Sequence, residues 1–448
     1  MADTRVTRRT LLRGSAGAVA ATTFAGSAAT LLGGCSGDDD DDGTLSFWNF
    51  YGPADDEDPQ SQWFVDLVDE WNANNDVQVK LHYLPPAEYF SGTPLQTAFQ
   101  GGEGPDIFMI SPGDFLRYYN GGVLADLTDE LGDARDDFKP GLLDGRSVDG
   151  AVYGLPMEVE PLGLFYSIPA YERAKLSQGD VPRTWDQLLD VADKLTGNDN
   201  FGMLFETAPG YYQNFTWYPF MWMGDGAVVD GSSSAFDSEQ TAAALDLWGR
   251  TIDTGVSPRK AQGDGGSDGS ANLGSGFVGM QQTGIWAAAA LELDYPKLEY
   301  GVAPLPTPPG GSASTAMGGW AFVANSKGKN PSKAAEFVIW ALGSTDKAGV
   351  ERCRKWNTVV KTNLPARKSV EKSALQHGAF ENDQLKVFVE EIAPTGVTEP
   401  RYPPEVYQPV SDAIQACQLD GANAADEAAK ASEAIDTFLG TYDGAPIV

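Results

Sequence analysis

The sequence predicts an α/β protein of two lobes joined by extended crossings, and three observations carry that reading. Strand and helix patterns alternate from Thr44 onward, the order that builds a parallel sheet covered by helices. The chain has 448 residues, more than one ordinary core accommodates, and its 42% hydrophobic and 11% aromatic content is ample for two. Residues 150–166 form an apolar run whose Pro156 excludes helix, so it reads as an extended passage between halves.

Leu45–Phe50 has the composition of a first strand, and Trp63, Phe64, Leu67, Val68 and Trp71 follow at helical spacing. Residues 77–84 predict a second strand, residues 89–99 a helix, and Gly104-Pro105-Asp106 a turn into a third strand ending at Ile110. Ligands of such sheets sit beyond the carboxyl ends of the strands, where Asn49, Tyr51 and Asp114 fall. Asp149-Gly150 reads as a tight hairpin turn. Past the crossing come a short helix at 165–175, a helix at 184–195 capped by Thr184, and an aromatic-dense segment at 211–226 that includes Tyr211 and Trp217. An amphipathic helix follows at 236–254. Gly265-Gly266-Ser267-Asp268-Gly269 matches the nucleophile-elbow pattern, but no strand precedes it and the chain holds only His82 and His377, so it reads as a loop. A strand and turn at 280–286 precede Tyr300–Pro306, which reads as a second crossing kept extended by prolines at 304, 306, 308 and 309. A strand at 318–324, a helix at 331–342 and helices near 384–391, 406–418 and 424–439 complete the chain.

The charge balance is extreme: 31 Lys and Arg stand against 63 Asp and Glu, a net charge of −32. Nucleic acid and anionic membrane surfaces carry the same sign and are excluded as partners, whereas concentrated salt would screen the self-repulsion, as in a halophilic protein. Residues 327–372 reverse the sign, with 11 basic and four acidic residues, and read as a charge-balancing face or a docking surface for an acidic partner. Cys353 and Cys417 read as free buried thiols. Arg8-Arg9 followed by an uncharged run from Gly14 to Gly34 has the layout of a twin-arginine export signal. Leu32-Gly33-Gly34-Cys35 resembles a lipobox, cleaved before a cysteine that then receives lipid; the alternative, an uncleaved membrane anchor, is disfavoured by the weakly apolar Ala and Gly of the run. Removing residues 1–34 takes away four Arg and one Asp and leaves 27 basic against 62 acidic residues. Residues 35–43, with Asp38–Asp42, read as an acidic tether; a calcium loop is excluded because its twelfth position is Asn49 rather than Glu.

Phe47-Trp48, Gly104-Pro105-Asp106-Ile107, Asp149-Gly150-Ala151-Val152-Tyr153-Gly154-Leu155-Pro156 and Arg183-Thr184-Trp185-Asp186-Gln187-Leu188 occur in the order seen in a known family. Phe277-Val278-Gly279-Met280, Gly284-Ile285-Trp286, Val302-Ala303-Pro304-Leu305-Pro306 and Gly318-Gly319-Trp320 extend the match across nearly all of residues 44–448. The set resembles the family 1 extracellular solute-binding proteins, the maltodextrin-binding-protein-like sugar-binding subunits of ABC importers; Tyr166-Ser167, where the family usually has Tyr-Asn, is the one departure. The resemblance implies a periplasmic-binding-protein type II fold, two discontinuous α/β lobes joined by extended hinge crossings with ligand between them. The lobe boundaries expected are residues 44–156 plus 304–345 and residues 157–303 plus 346–448.

Sugars present apolar C–H faces that stack on aromatic rings and hydroxyls that suit carboxylates and amides. The candidate ligand contacts are therefore Asn49, Tyr51, Asp114, Glu160, Tyr211, Trp217, Trp286, Trp320 and Tyr402, with Cys35 as the lipidation site. Glu160 and Tyr402 are proposed through the resemblance; Glu160 alternatively pairs within the hinge, and Asp114 alternatively caps a helix. Glu158 reads as a bystander. The expected function is capture of a sugar or oligosaccharide by a monomeric, lipid-anchored extracellular protein and delivery to permease subunits, without catalysis, cofactor, metal or nucleic acid. The competing reading is a secreted hydrolase using Glu158 and Glu160 or Asp114, but residues two apart on a strand are about 7 Å apart and on the same side of any substrate. A non-sugar solute on the same fold is the third.

Overall fold

The computed structural model describes residues 43–53 and 58–447. The export signal, Cys35 and the Asp38–Asp42 run lie outside them. In chain order the strands of the two main sheets are β1 (Leu45–Asn49), β2 (Val79–Tyr83), β3 (Ile107–Ile110), β4 (Leu155–Pro156), β5 (Glu160–Ser167) and β6 (Phe201–Leu204). They continue as β7 (Val278–Gly284), β8 (Tyr300–Ala303), β9 (Thr315–Gly318), β10 (Ala321–Ala324) and β11 (Gly396–Thr398).

The first lobe is built on a five-stranded sheet in the order β2-β1-β3-β10-β4. The β1 strand is parallel to both β2 and β3, as the alternation of strands and helices requires, and β10 returns antiparallel. Phe47 on β1 meets Phe64, Phe322 and Phe337 at 5.7, 4.8 and 5.8 Å, which packs the helix Pro59–Asn74 and the helix Pro331–Val338 against this sheet. The predicted helix at 89–99 is two helices, Pro86–Ser91 and Thr93–Gly101, broken at Gly92, whose φ is +69°.

The second lobe is built on a six-stranded sheet in which β11, β9, β5, β7 and β6 are neighbours and β8 also pairs with β5. Every residue of β5 is buried, because it runs between β7 on one edge and β9 and β8 on the other. Its last three residues, Phe165–Ser167, belong to the segment read from sequence as a short helix; the helix starts later, at Ile168, with the Ser167 side chain as its cap. Thr184 caps the helix Trp185–Leu195 as expected, accepting from Gln187 N–H. Trp217, Phe220, Phe205 and Trp248 fill this lobe's core, the last two stacked at 4.6 Å. Cys353 and Cys417 are buried free thiols.

The chain crosses between the sheets at Met157–Val159, from β4 to β5, and returns at Gly319–Trp320, from β9 to β10. The return is therefore neither at Tyr300–Pro306 nor at residue 304: β8 and β9 both pair antiparallel with β5, so residues 300–318 stay in the second lobe. The prolines serve instead a loop in which Thr307 N–H bonds Arg183 O at 3.0 Å. The 346 boundary moves as well. The helix Lys347–Lys355 docks on the first lobe, where Trp63 Nε1 donates to Arg352 O and Arg352 pairs with Glu70 at 2.9 Å. Arg367–Asp137 and Lys139–Glu371 pairs, at 2.8 and 2.6 Å, hold the helix Lys368–Gln376 to the same lobe. Within the sign reversal at 327–372, Lys333, Arg352, Arg354, Lys361 and Arg367 thus pair with carboxylates of this chain.

Gly319 has φ +131°, and a Cβ there would lie 2.3 Å from Glu158 O. Gly319→Ala is expected to lower stability by about 1–3 kcal/mol by forcing this crossing apart, read as a lower urea midpoint at unchanged slope.

Candidate functional site

Between the lobes the chain forms a cleft of about 470 Å³ whose walls come from both sheets. The turn after β1 contributes Phe50 and Tyr51, and the helix Pro86–Ser91 contributes Phe90. Trp320, on the return crossing, stacks on Phe90 at 5.5 Å and meets Phe50 edge-on at 4.7 Å. The opposite wall carries Tyr211, Tyr212 and Phe215 from the helix Tyr211–Trp222, together with Trp286.

The Gly265–Gly269 stretch is indeed a loop, and it lines the cleft through Ser267 and Asp268. Buried Glu206 holds it: one carboxylate oxygen accepts from Thr207 and Ala208 N–H, the other from Gly266 N–H at 2.9 Å. Ser267 O in turn accepts from Trp286 Nε1 at 3.1 Å, which fixes the indole plane.

At the cleft floor Lys361 gathers three acceptors. Its Nζ donates to Glu160 Oε1 at 2.7 Å and to the Tyr51 hydroxyl, and lies 3.8 Å from Glu158 Oε1. Asn363 Nδ2 adds a second bond to Glu160 Oε1 at 2.9 Å. Burial opposes the Lys361 charge, but Glu158 and Glu160 hold the ammonium protonated far above its ordinary range. Glu158 is structural: it accepts from Trp320 N–H at 3.1 Å and from Trp356 Nε1, and burial pushes its carboxyl up.

Of the residues singled out from sequence, Tyr51, Glu160, Tyr211, Trp286 and Trp320 meet in this cleft. Four do not. Asn49 is fully buried below it, accepting from Tyr51 N–H at 2.9 Å and so shaping the turn that presents Tyr51. Asp114 is buried beside Arg117 at 3.4 Å, with Ser111 lining the cleft in its place. Trp217 is wholly buried and packs on Phe236, because its helix is enclosed on all sides. Tyr402 is buried edge-on against Tyr218 at 5.9 Å. Sequence reasoning missed Lys361, Glu399, Phe90 and Tyr212. The last two carried an aromatic signal; nothing local marks Lys361 or Glu399.

Glu399 follows β11, is 4% exposed and lines the cleft. Burial pushes its carboxyl up to about 8; Arg146 opposes this and Asp114 reinforces it.

A two-lobed α/β fold with an aromatic and carboxylate cleft between lobes defines a solute-binding protein of the type II periplasmic class. Residues 54–348 match the family model described as bacterial extracellular solute-binding protein, and the chain belongs to that family. It is 26% identical over 330 residues to the arabinooligosaccharide-binding protein of Bacillus subtilis, covering 67% of this chain and 70% of that one. An uncharacterised lipoprotein of Streptomyces antibioticus is 33% identical over 142 residues, 31% of each chain. The fold superposes with a TM-score of 0.75 on an ABC transporter solute-binding protein of Thermotoga lettingae solved with α-D-tagatose, at 22% identity over 89% of this chain and 100% of that one. Among the described residues no helix is long and apolar enough to cross a membrane.

The shifted Glu399 carboxyl makes a signed prediction. Between its unfolded value of 4.5 and its folded value of about 8, the folded protein holds a proton that the unfolded chain has lost, so this group's contribution to stability falls as pH rises through that window. Glu399→Gln removes the term. The variant's melting temperature relative to the parent is expected to climb between pH 5 and pH 8 and to be flat above, measured by scanning calorimetry.

Proposed function

We propose that this chain captures a sugar or short oligosaccharide between its lobes and hands it to the permease of an ABC importer. The observation that carries the reading is the cleft itself: indole and phenyl rings from both lobes, with Glu160 and Asp268 among them, match the alternating apolar faces and hydroxyls of a sugar. Lys361, the sole basic residue among the described residues of the lining, is engaged by Glu160 and Tyr51, which leaves no free cation for an anionic solute. The ligands of the Bacillus relative and of the Thermotoga structure support the same class. Binding would stabilise the closed arrangement through contacts to both lobes, with hinge motion at 157–159 and 319–320. The hydrolase reading loses its acid pair, since Trp320 and Trp356 occupy Glu158, and the matched relatives are binding proteins.

Isothermal titration against mono- and oligosaccharides tests the proposal. One of them is expected to bind, and Trp286→Ala to weaken it by roughly tenfold or more through loss of a stacking face. Absence of binding by any saccharide would overturn the sugar assignment.

The lipobox-like Leu32-Gly33-Gly34-Cys35 and the Streptomyces lipoprotein relative support a lipid anchor on the outer face of the cytoplasmic membrane. Cys35→Ala is expected to shift the expressed protein from the membrane pellet to the soluble extracellular fraction, followed by immunoblot of the two.

A further inference from the structure

Of the two buried carboxyls that line the cleft, Glu160 and Glu399, Glu399 is the one without an ion pair among the described residues. It is contributed by the second lobe and reaches the first: a Cβ on Gly113 would fall 2.4 Å from Glu399 Oε1 and 3.4 Å from the Tyr211 ring. A Cβ on Gly318 would fall 2.8 Å from the Phe215 ring and 3.7 Å from Glu399 Oε2. Bare glycines at 113 and 318 therefore leave room for the carboxyl in the neighbourhood of Tyr211 and Phe215 at the lobe junction.

Gly113 N–H donates to this carboxyl, but among the described residues no Lys or Arg nitrogen lies within 4.0 Å of it. Arg146 is the nearest opposing charge, acting beyond ion-pair distance while its two terminal nitrogens donate to the carbonyls of Gly319 and Leu142. Of the other lining carboxylates, Glu160 has Lys361 and Asn363, Asp58 caps a helix through Gln60 N–H, Asp268 accepts from Ala271 N–H, and Asp264 is solvent-exposed. A nearly buried carboxyl with no cation at ion-pair distance, lining the cavity in the company of aromatic side chains, is an arrangement that recognises an ammonium, through a charge-assisted hydrogen bond and cation–π attraction together.

We propose that the solute carries a protonated amine, seated at Glu399 in the neighbourhood of Tyr211 and Phe215, and that the ligand class is an amino-bearing saccharide. The inference rests on the sugar reading for the rest of the cleft. A cationic group there supplies a counter-charge at contact distance, and an N-acetylated or hydroxyl-bearing counterpart does not. Asp114, Arg146, Glu160 and Tyr211 are the other titratable groups that act on this corner.

The test is isothermal titration of the intact protein with matched sets: a neutral saccharide, its amino counterpart and its N-acetylamino counterpart, with choline as a cation lacking a sugar. The amino form is expected to bind roughly tenfold or more tighter than the other two, and Glu399→Gln to abolish that preference, read as the ratio of amine to neutral affinity within the variant. Repeating the titration at pH 7 in buffers of different ionisation enthalpy is expected to show about one proton released per amine bound, as Glu399 ionises, and none for the neutral sugar. That second readout needs no variant. Neutral forms that bind as well as the amine, or amine binding without proton release, would overturn the amine subsite and leave the sugar reading standing. Choline binding that depends on Glu399, with no saccharide bound, would overturn the sugar reading and leave the cation subsite standing. Silence from every ligand would overturn both.

Discussion

Where the chain passes from one sheet to the other, a single buried ammonium meets two glutamates. Lys361 Nζ lies 2.7 Å from Glu160 and 3.8 Å from Glu158, and both carboxylates flank the Met157–Val159 crossing. Such a cluster adds little net stability, because the desolvation of the ions offsets most of their attraction, but loss of one partner leaves an uncompensated buried charge. Its value is geometric. Glu158 reaches Trp320 N–H and so ties one crossing to the other, while Lys361 fixes the Glu160 carboxylate by one oxygen at the cleft floor. Val159 and Leu364 exchange backbone hydrogen bonds at 2.8 and 3.2 Å alongside, so three chain segments meet at the crossing.

The cleft inherits its character from this floor. With Lys361 neutralised from below, the walls offer rings and acceptors, and their charge is negative. The whole protein is acidic too, yet the two features have different origins. Surface acid is solvated and screened within about 8 Å at physiological salt, whereas Glu399 is buried and feels a low dielectric. The basic stretch at 327–372 shows the complementary behaviour: Arg352, Arg367 and Lys361 find their carboxylates inside the chain.

Much of the fold was legible. Phe47, Trp63, Phe64 and Leu67 announce a strand and an amphipathic helix, and Thr184 announces a helix start, because these are periodic or capping signals confined to a few residues. The misplacements share a cause. Tyr300–Pro306 is extended and proline-rich whether it crosses between lobes or runs as an edge strand into a loop, and only its pairing with Phe165 and Tyr166 decides. Residues 346–376 carry no local mark of which lobe their helices join.

The cleft was half legible. Trp286 and Trp320 stand at strand-to-turn positions, where the end of a regular element leaves the side chain beside open space. The helix Tyr211–Trp222 gives no such direction, since it is apolar or aromatic on nearly every face; Tyr211 lines the cleft and Trp217 the core by virtue of what packs around them. The sequence by itself determined the element inventory, the two-lobed α/β class and the family resemblance, because these rest on short-range periodicity and ordered motifs. Only the tertiary structure decided that Lys361 meets Glu160 across 201 residues and that Glu399 comes into one cleft with Tyr211 and Phe215. Those encounters depend on the mutual placement of distant segments, and no local pattern encodes a distance in space.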